Sequence, residues 1–283
     1  MKACDICIEE ECKGEKTCNC ETCKNKNECP RYRGIHPTIR ITNRCTQRCD
    51  HCCFASNPLS NIMMSIDTAK EISTFLEKNE IKTVNLMGGE FFCNPDWYDI
   101  LKTIINTPSI EVARLVTNGD WAGIDEVEIK LKSLIEEYKQ KFYLSLSKDK
   151  WHTNKKVESA INFLEAAGGF YNVAKEEETT KDSIVPVGRA IFHYGIYSTM
   201  GCYCYNPIRK YCILIDEEGN IYQCNFGMFK FAKIKDYISG GFAKRFKEYK
   251  QKFYKTFIPS CRSCSRFESH CTLEEKKCFI KRK

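Results

Sequence analysis

Cys45, Cys49 and Cys52 lie in the run "NRCTQRCDHCCFAS" at a C-x3-C-x2-C spacing, and Cys53 follows at once. Thiols this close together in a chain commonly hold a metal, and a loop this short can turn three sulfurs to one side. Three is one short of a tetrahedral set. A cubane of four irons held by three thiolates keeps open positions on one iron, where a small molecule can bind and receive an electron. Cluster potentials reach down to roughly −700 mV, low enough for demanding reductions.

Other residues with chemistry to offer stand downstream. In "GGEFF" (88–92), Gly88 and Gly89 let a ligand approach the backbone because no Cβ intrudes. Glu90 can accept a charge-assisted bond from an ammonium. Asn118 sits in "TNGDW". Ser145 and Ser147 alternate onto one face of a strand, where their hydroxyls can meet a ribose or a carboxylate. Arg189, in "VGRA", has the planar fork that pairs with a carboxylate. His152, in "SKDKWH", is a candidate catalytic acid or base. Plainer readings stand beside these. The glycines can end a strand, the serines can simply belong to one, Arg189 can be a structural cation, and His152 a satisfied structural histidine. Asp149 and Lys150 read as loop solvation. Cys53 and Cys93 read as buried small hydrophobes rather than reactive thiols.

An alternation of strands and helices must position these groups. "TIRIT" (38–42) reads as a strand ending at the cysteine loop, and "SIDTAKEISTFLEKN" as a helix capped by Ser65, with Ile66, Ala69, Ile72 and Leu76 on one face. "KTVNLMGG" reads as a buried strand, and Asn94 and Pro95 as the start of a helix through Ile105. "EVARLVTNG", the helix 124–138, "KFYLSLS" and the helix within "NKKVESAINFLEAAG" follow. "GFYNVA" and "VPVGRAIFHY" are the fifth and sixth strand candidates. Such alternation implies an α/β fold with a parallel sheet and right-handed crossovers. Ligands then gather beyond the C-terminal ends of the strands, which is where the cysteine loop, "GGEFF", "TNGDW" and "SLSKDKWH" all fall.

The chain has 283 residues, 44 Lys+Arg against 37 Asp+Glu, and 20 cysteines. No apolar run reaches the roughly 18 residues of a membrane span, and the first residues lack the apolar stretch of a secretory signal. The expected setting is therefore the reducing cytoplasm, where dense thiols bind metal rather than form disulfides. The modest positive charge does not by itself argue for nucleic acid, and no base-reading motif appears.

"CTQRCDHC" resembles the signature loop of radical S-adenosylmethionine (SAM) enzymes, with His51 at its ring-residue position. "GGEF" resembles the motif of that family that holds the SAM amino group, with Phe91 where proline is more usual. The resemblance spans about residues 37–200. It implies a partial (βα)6 barrel, a SAM-binding 4Fe-4S cluster on Cys45, Cys49 and Cys52, and reductive cleavage of SAM to a deoxyadenosyl radical that abstracts hydrogen. Gly88, Gly89, Glu90, Asn118, Ser145, Ser147 and Arg189 are then the candidate SAM contacts.

The cysteine-rich ends extend this reading. In the tail (201–283), Cys212, Gly219 and Cys224, followed by Cys261, Cys264, Cys271 and Cys278 at C-x2-C-x6-C-x6-C, resemble the SPASM/twitch auxiliary-cluster domain. Cys202 and Cys204 complete eight candidate ligands. They suffice for two fully ligated auxiliary iron–sulfur clusters, or for one cluster with an open site plus spares; structural zinc is the alternative. The head (1–36) carries Cys4, Cys7, Cys12, Cys18, Cys20, Cys23 and Cys29, which suit either another cluster or zinc. This head is shorter than the leader-peptide reader of many relatives, so a leader-guided substrate would need a partner protein. In "GGFAKRFKEYKQKFYKTF", Phe242, Phe246, Tyr249, Phe253 and Phe257 recur at helical spacing. The expectation is a helix docked by its aromatic face; the sharper reading is a landing site for an acidic electron donor of flavodoxin or ferredoxin type. The auxiliary domain implies a peptide or protein substrate whose side chain is crosslinked, epimerised or oxidised. A small metabolite as substrate, or a non-enzymatic iron–sulfur or zinc module, are the alternatives.

Overall fold

A computed structural model describes residues 35–149, 151–152, 156–175, 189, 211–222 and 230–255. Its strands are β1 (Ile35–Arg40), β2 (Thr83–Met87), β3 (Val112–Thr117), β4 (Phe142–Lys148), β5 (Tyr171–Lys175), β6 (Tyr211–Ile215), β7 (Asn220–Tyr222) and β8 (Lys230–Lys233). Its helices are α1 (Ile66–Lys78), α2 (Trp97–Ile105), α3 (Asp125–Glu137), α4 (Val157–Ala166) and α5 (Phe242–Lys255). One sheet runs β5-β4-β3-β2-β1-β6-β7-β8. Strands β1 to β5 pair in parallel with their sequence neighbours, joined by α1 to α4. This is the expected α/β core. The candidate sixth strand, 185–194, lies outside the described residues apart from Arg189.

The register explains the core. Ile39 pairs with Leu86, Leu86 with Leu115, and Leu115 with Leu144. All four are fully buried, in one core cluster with Ile72 and Phe75 of α1, Ile100 and Ile104 of α2, and Leu131 and Leu134 of α3. Strands β2 and β3 alternate strictly between buried and half-buried residues, although "KTVNLMGG" reads as a buried strand. Only the helix-covered face is sealed. The other face carries Asn85, Met87, Arg114, Val116, Tyr143 and Ser147, all half-buried, with Ser145. Parallel sheets are usually covered on both sides, so this half-open polar face suits a ligand.

Ser65 caps α1 as expected, its Oγ accepting the Thr68 N–H at 3.1 Å. Helix α2 starts at Trp97 rather than at Asn94. The buried Asn94 instead donates from Nδ2 to the carbonyls of Ile41 (2.9 Å) and Met64 (3.1 Å). Its side chain clamps the two ends of the cysteine loop together, and a 3-10 turn (Phe91–Cys93) fills the gap after β2.

Strand β6 adds in parallel to the far side of β1, and the β6–β7 turn folds back over it. Arg40 of β1 holds Glu217 of that turn through two bonds, 2.9 and 3.0 Å long. Asp216 braces the same turn by accepting from the Asn220 backbone and from the Tyr222 hydroxyl, each at 2.9 Å. Gly219 turns the corner at φ +74°, where a side chain would be strained and would meet Ile234. Helix α5 docks by its aromatic face. Phe242 and Phe246 are fully buried, and the Phe242 ring meets Phe75 of α1 edge-on at 5.2 Å. Lys244 and Arg245 face solvent.

Candidate cofactor site at the strand ends

The cysteine loop leaves β1 at Ile41 and returns at Met64, whose N–H donates to the Ile41 carbonyl at 2.8 Å. Its first turn continues the β1–β2 pairing. Gly89 N–H donates to Thr42 O and Glu90 N–H to Arg44 O, both at 2.8 Å. A Cβ on Gly89 would stand 2.4 Å from Arg44 O and 2.8 Å from Cys45 Cβ, and one on Gly88 would stand 2.9 Å from Thr42 Cγ2. The backbone that approaches these glycines is therefore that of the loop itself.

Cys45 is buried; Cys49 and Cys52 are half-buried. The Gln47 N–H points at Cys45 Sγ (3.4 Å), and the Gln47 side-chain oxygen accepts from Cys49 Sγ (3.3 Å). Burial pushes the Cys45 thiol up to about 12; the Gln47 N–H opposes this, and negative charge on Glu90, Cys49 or Cys52 would push it further. Three crowded thiols of this kind become thiolates when a cationic centre compensates them, and an iron cluster supplies that charge. The donor set therefore fits a cluster on Cys45, Cys49 and Cys52. Burial likewise raises the Cys53 thiol to about 12 and the Cys93 thiol to about 11, which suits inert thiols rather than reactive ones.

The ends of β2 and β3 form the second wall. Glu90 is almost fully buried and accepts from the Thr117 hydroxyl (2.7 Å) and the Asn118 N–H (2.8 Å). Burial still pushes its carboxyl up to about 7 despite those bonds. A buried carboxylate with lone pairs to spare fits an ammonium group. Asn118 donates from Nδ2 to Thr46 Oγ1 at 3.1 Å, so the β3 rim grips the cysteine loop directly. Asp120 adds bonds from Thr46 and from Gln47 Nε2, the latter at 2.9 Å. Thr46, Gln47 and Asp120 are not singled out by the sequence reading, because ordinary polar loop residues carry no spacing signal.

On β4, Ser145 is buried, and its Oγ accepts from Arg114 Nη2 at 2.8 Å. Arg114 is not among the sequence candidates; its one signal is a lone cation inside the apolar strand "VARLVT". Ser147 is half-buried on the same face. His152 is not alone. Its Nδ1 lies 2.8 Å from Asp149 Oδ1, and its ring meets His51 edge-on at 4.8 Å between centroids. Asp149 is thus more than a solvated loop residue. Burial pushes its carboxyl up, but the His152 contact, the Trp151 N–H and the nearby His51 together outweigh this and leave it below the usual carboxylate value. Burial, then His152, lowers His51 to about 4. Arg189 lies against the cysteine loop, donating its backbone N–H to Cys52 O at 3.0 Å and its guanidinium to Ser56 O. It lines a cavity of about 770 Å³ with Arg48, Asp50 and Leu59.

Cys212 lies in β6. The other tail candidates (Cys202, Cys204, Cys224, Cys261, Cys264, Cys271 and Cys278) and the head candidates Cys4 to Cys29 lie outside the described residues. Among the described residues, no helix is long and apolar enough to cross a membrane.

Residues 39–174 match the sequence model of the radical SAM superfamily. The antilisterial bacteriocin subtilosin biosynthesis protein AlbA of Bacillus subtilis (strain 168) is 27% identical over 178 residues, which cover 62% of this chain and 37% of AlbA. YydG of the same organism, named for peptide biosynthesis, is 28% identical over 151 residues, covering 52% of this chain and 47% of YydG. The chain thus spans less than half the length of either curated relative. Among solved structures, BtrN in complex with AdoMet and 2-DOIA superposes with a TM-score of 0.56 at 10% identity, covering 82% of this chain and 92% of that one. Native anSMEcpe with bound AdoMet and Cp18Cys peptide gives a TM-score of 0.52 at 14% identity, covering 88% and 96%. At these identities the likeness is one of fold. The matched region, just under half of the chain, coincides with the parallel sheet and the cysteine loop, and over these residues the chain is similar to the radical SAM superfamily.

Proposed function

We propose that this protein is a radical SAM enzyme that modifies a side chain of a peptide or protein, by crosslinking, epimerisation or oxidation. The observation that carries the reading is the junction of Cys45, Cys49 and Cys52 with Glu90: the buried Cys45 thiol lies close enough to feel the charge of Cys49, Cys52 and the buried Glu90 carboxyl, on the rim of a half-open parallel sheet. Cys45, Cys49 and Cys52 would hold a 4Fe-4S cluster, and Glu90 the SAM ammonium. Ser145, Ser147 and Asn118 would meet the ribose or carboxylate of SAM, and Gly88 and Gly89 let the walls of the site close. When bound, the cluster and SAM supply an electron and a deoxyadenosyl radical for hydrogen abstraction. The chain's own residues bind and orient the cofactor, bury it, and in His152 provide a proton acceptor or donor held by Asp149. Arg189 braces the cysteine loop and is a further candidate contact.

The peptide class rests on AlbA and YydG, both named for peptide or bacteriocin biosynthesis. Residues 201–283 would form a SPASM/twitch-like domain whose auxiliary clusters accept electrons from the substrate radical, with residues 1–36 as a separate metal-binding segment and 37–200 as the core. A flavodoxin or ferredoxin-type donor in a reducing cytoplasm would complete the system. The test is anaerobic incubation of the cluster-loaded chain with SAM, reductant and deuterated candidate peptides. Deuterium in deoxyadenosine, with a mass change in the peptide, supports the reading. Deuterium arriving only from a small metabolite contradicts the peptide assignment.

A further inference from the structure

His51, Asp149 and His152 bring one ligand atom each within 4.8 Å of one another, and all three side chains are half-buried. They come from two segments: His51 from the cysteine loop, the others from the turn after β4. The Nδ1 of His51 is buried and has no hydrogen-bond partner. A buried ring nitrogen without a partner is costly, and a metal ion relieves that cost as well as a proton donor would. The Nδ1 of His152 lies 2.8 Å from Asp149 Oδ1. The same carboxylate oxygen accepts the Trp151 and His152 backbone N–H groups at 2.9 and 3.1 Å, which fixes the carboxylate while its second oxygen keeps free lone pairs.

We propose that His51, Asp149 and His152 form a divalent transition-metal site, of the kind that takes Zn2+, distinct from the cysteine-bound cluster. Two imidazoles and a carboxylate are a common donor set for zinc, with bonds of about 2.0–2.2 Å and a fourth position left to water or substrate. Tetrahedral donors at such bond lengths lie about 3.3 Å apart, against an observed spread of at most 4.8 Å. The ion takes the place of the proton shared by His152 and Asp149, and His51 closes the third side. It would tie the cysteine loop to the turn after β4. The ion neither gains nor loses electrons in this role.

The test uses the full chain, loaded anaerobically with iron and sulfide, desalted, and titrated with Co2+ as the probe. The site predicts one cobalt equivalent whose X-ray absorption shows nitrogen and oxygen neighbours without sulfur. That equivalent is lost in His152→Ala and bound at least 10-fold more weakly in Asp149→Asn, with iron content and circular dichroism unchanged. If His152→Ala fails to fold, the wild-type absorption spectrum and the milder Asp149→Asn variant decide alone. Cobalt bound only by sulfur, or a nitrogen-ligated equivalent that persists undiminished in the variants, overturns the site. None of these readouts requires SAM, so the outcome is independent of whether the proposed radical chemistry holds.

Discussion

Gly89 and Arg44 touch backbone to backbone: the Glu90 N–H next to Gly89 reaches Arg44 O at 2.8 Å, and a Cβ on Gly89 would stand 2.4 Å from that same oxygen. Both groups are main chain and cannot swing aside. Gly89→Ala must therefore push the cysteine loop off the sheet. We expect a loss of stability of roughly 1–3 kcal/mol, the usual range for overpacking, and a fall in iron bound per chain after anaerobic reconstitution. Iron content and a denaturation midpoint equal to wild type would contradict this contact.

Glu90 makes a prediction with a definite sign. Burial raises its folded pKa to about 7 from the ordinary value of 4.5. As pH climbs between these values the unfolded chain loses this proton while the folded chain keeps it. Stability of the cluster-free, ligand-free protein therefore declines from about pH 4.5 to about pH 7 and levels off above. Glu90→Gln removes that slope, which urea denaturation across the pH series will read. An ammonium prefers the ionised carboxylate, so SAM binding should strengthen as pH rises through 7 in wild type and be weak and flat in Glu90→Gln. An identical pH slope in the two proteins would remove Glu90 from this role.

The Arg40–Glu217 pair joins β1 to the β6–β7 turn, and the Glu217 side chain is only 2% exposed. Removing one partner leaves a buried charge alone, so Arg40→Ala should cost roughly 3–5 kcal/mol. Arg40→Met with Glu217→Leu should recover much of that loss, because an apolar pair of similar volume often replaces a buried ion pair. Guanidinium melts of Arg40→Met, Glu217→Leu and the double variant form the cycle. Additive losses would show that the two side chains are not coupled.

If the basic back of α5, with Lys244 and Arg245 in solvent, receives an acidic electron donor, the encounter is steered by charge. Salt screens such steering over about 8–10 Å. Raising ionic strength should then slow flavodoxin-driven SAM cleavage more than dithionite-driven cleavage, and Lys244→Glu with Arg245→Glu should mimic high salt. Equal slowing with both reductants would dismiss this surface.

The fold was legible where periodicity is strong. Ile39, Leu86, Leu115 and Leu144 belong to short apolar runs that alternate with helical patterns, and the Ser65 cap announces α1. Legibility failed where a side chain overrode local preference. Asn94 was read as a helix start because proline follows it, but its amide is spent on the carbonyls of Ile41 and Met64. The pairing of β6 with β1 joins residues more than 170 positions apart, and no local pattern encodes that. At the strand ends, Cys45, Cys49, Cys52 and Glu90 are the candidates that residue type and spacing pick out. Arg114, Gln47 and Asp120 are not, because their roles arise from neighbours that only the folded chain supplies. Asp149 reads as a solvated loop residue, because its contact with His152 depends on the turn after β4.

The most direct test of the central claim is deoxyadenosine formation. The account predicts that the wild-type chain, reconstituted with iron and sulfide and reduced by dithionite without oxygen, releases deoxyadenosine from SAM, and that Cys49→Ala releases none while keeping its fold. Undiminished release by Cys49→Ala, or none from a wild-type chain carrying a full cluster, would contradict it.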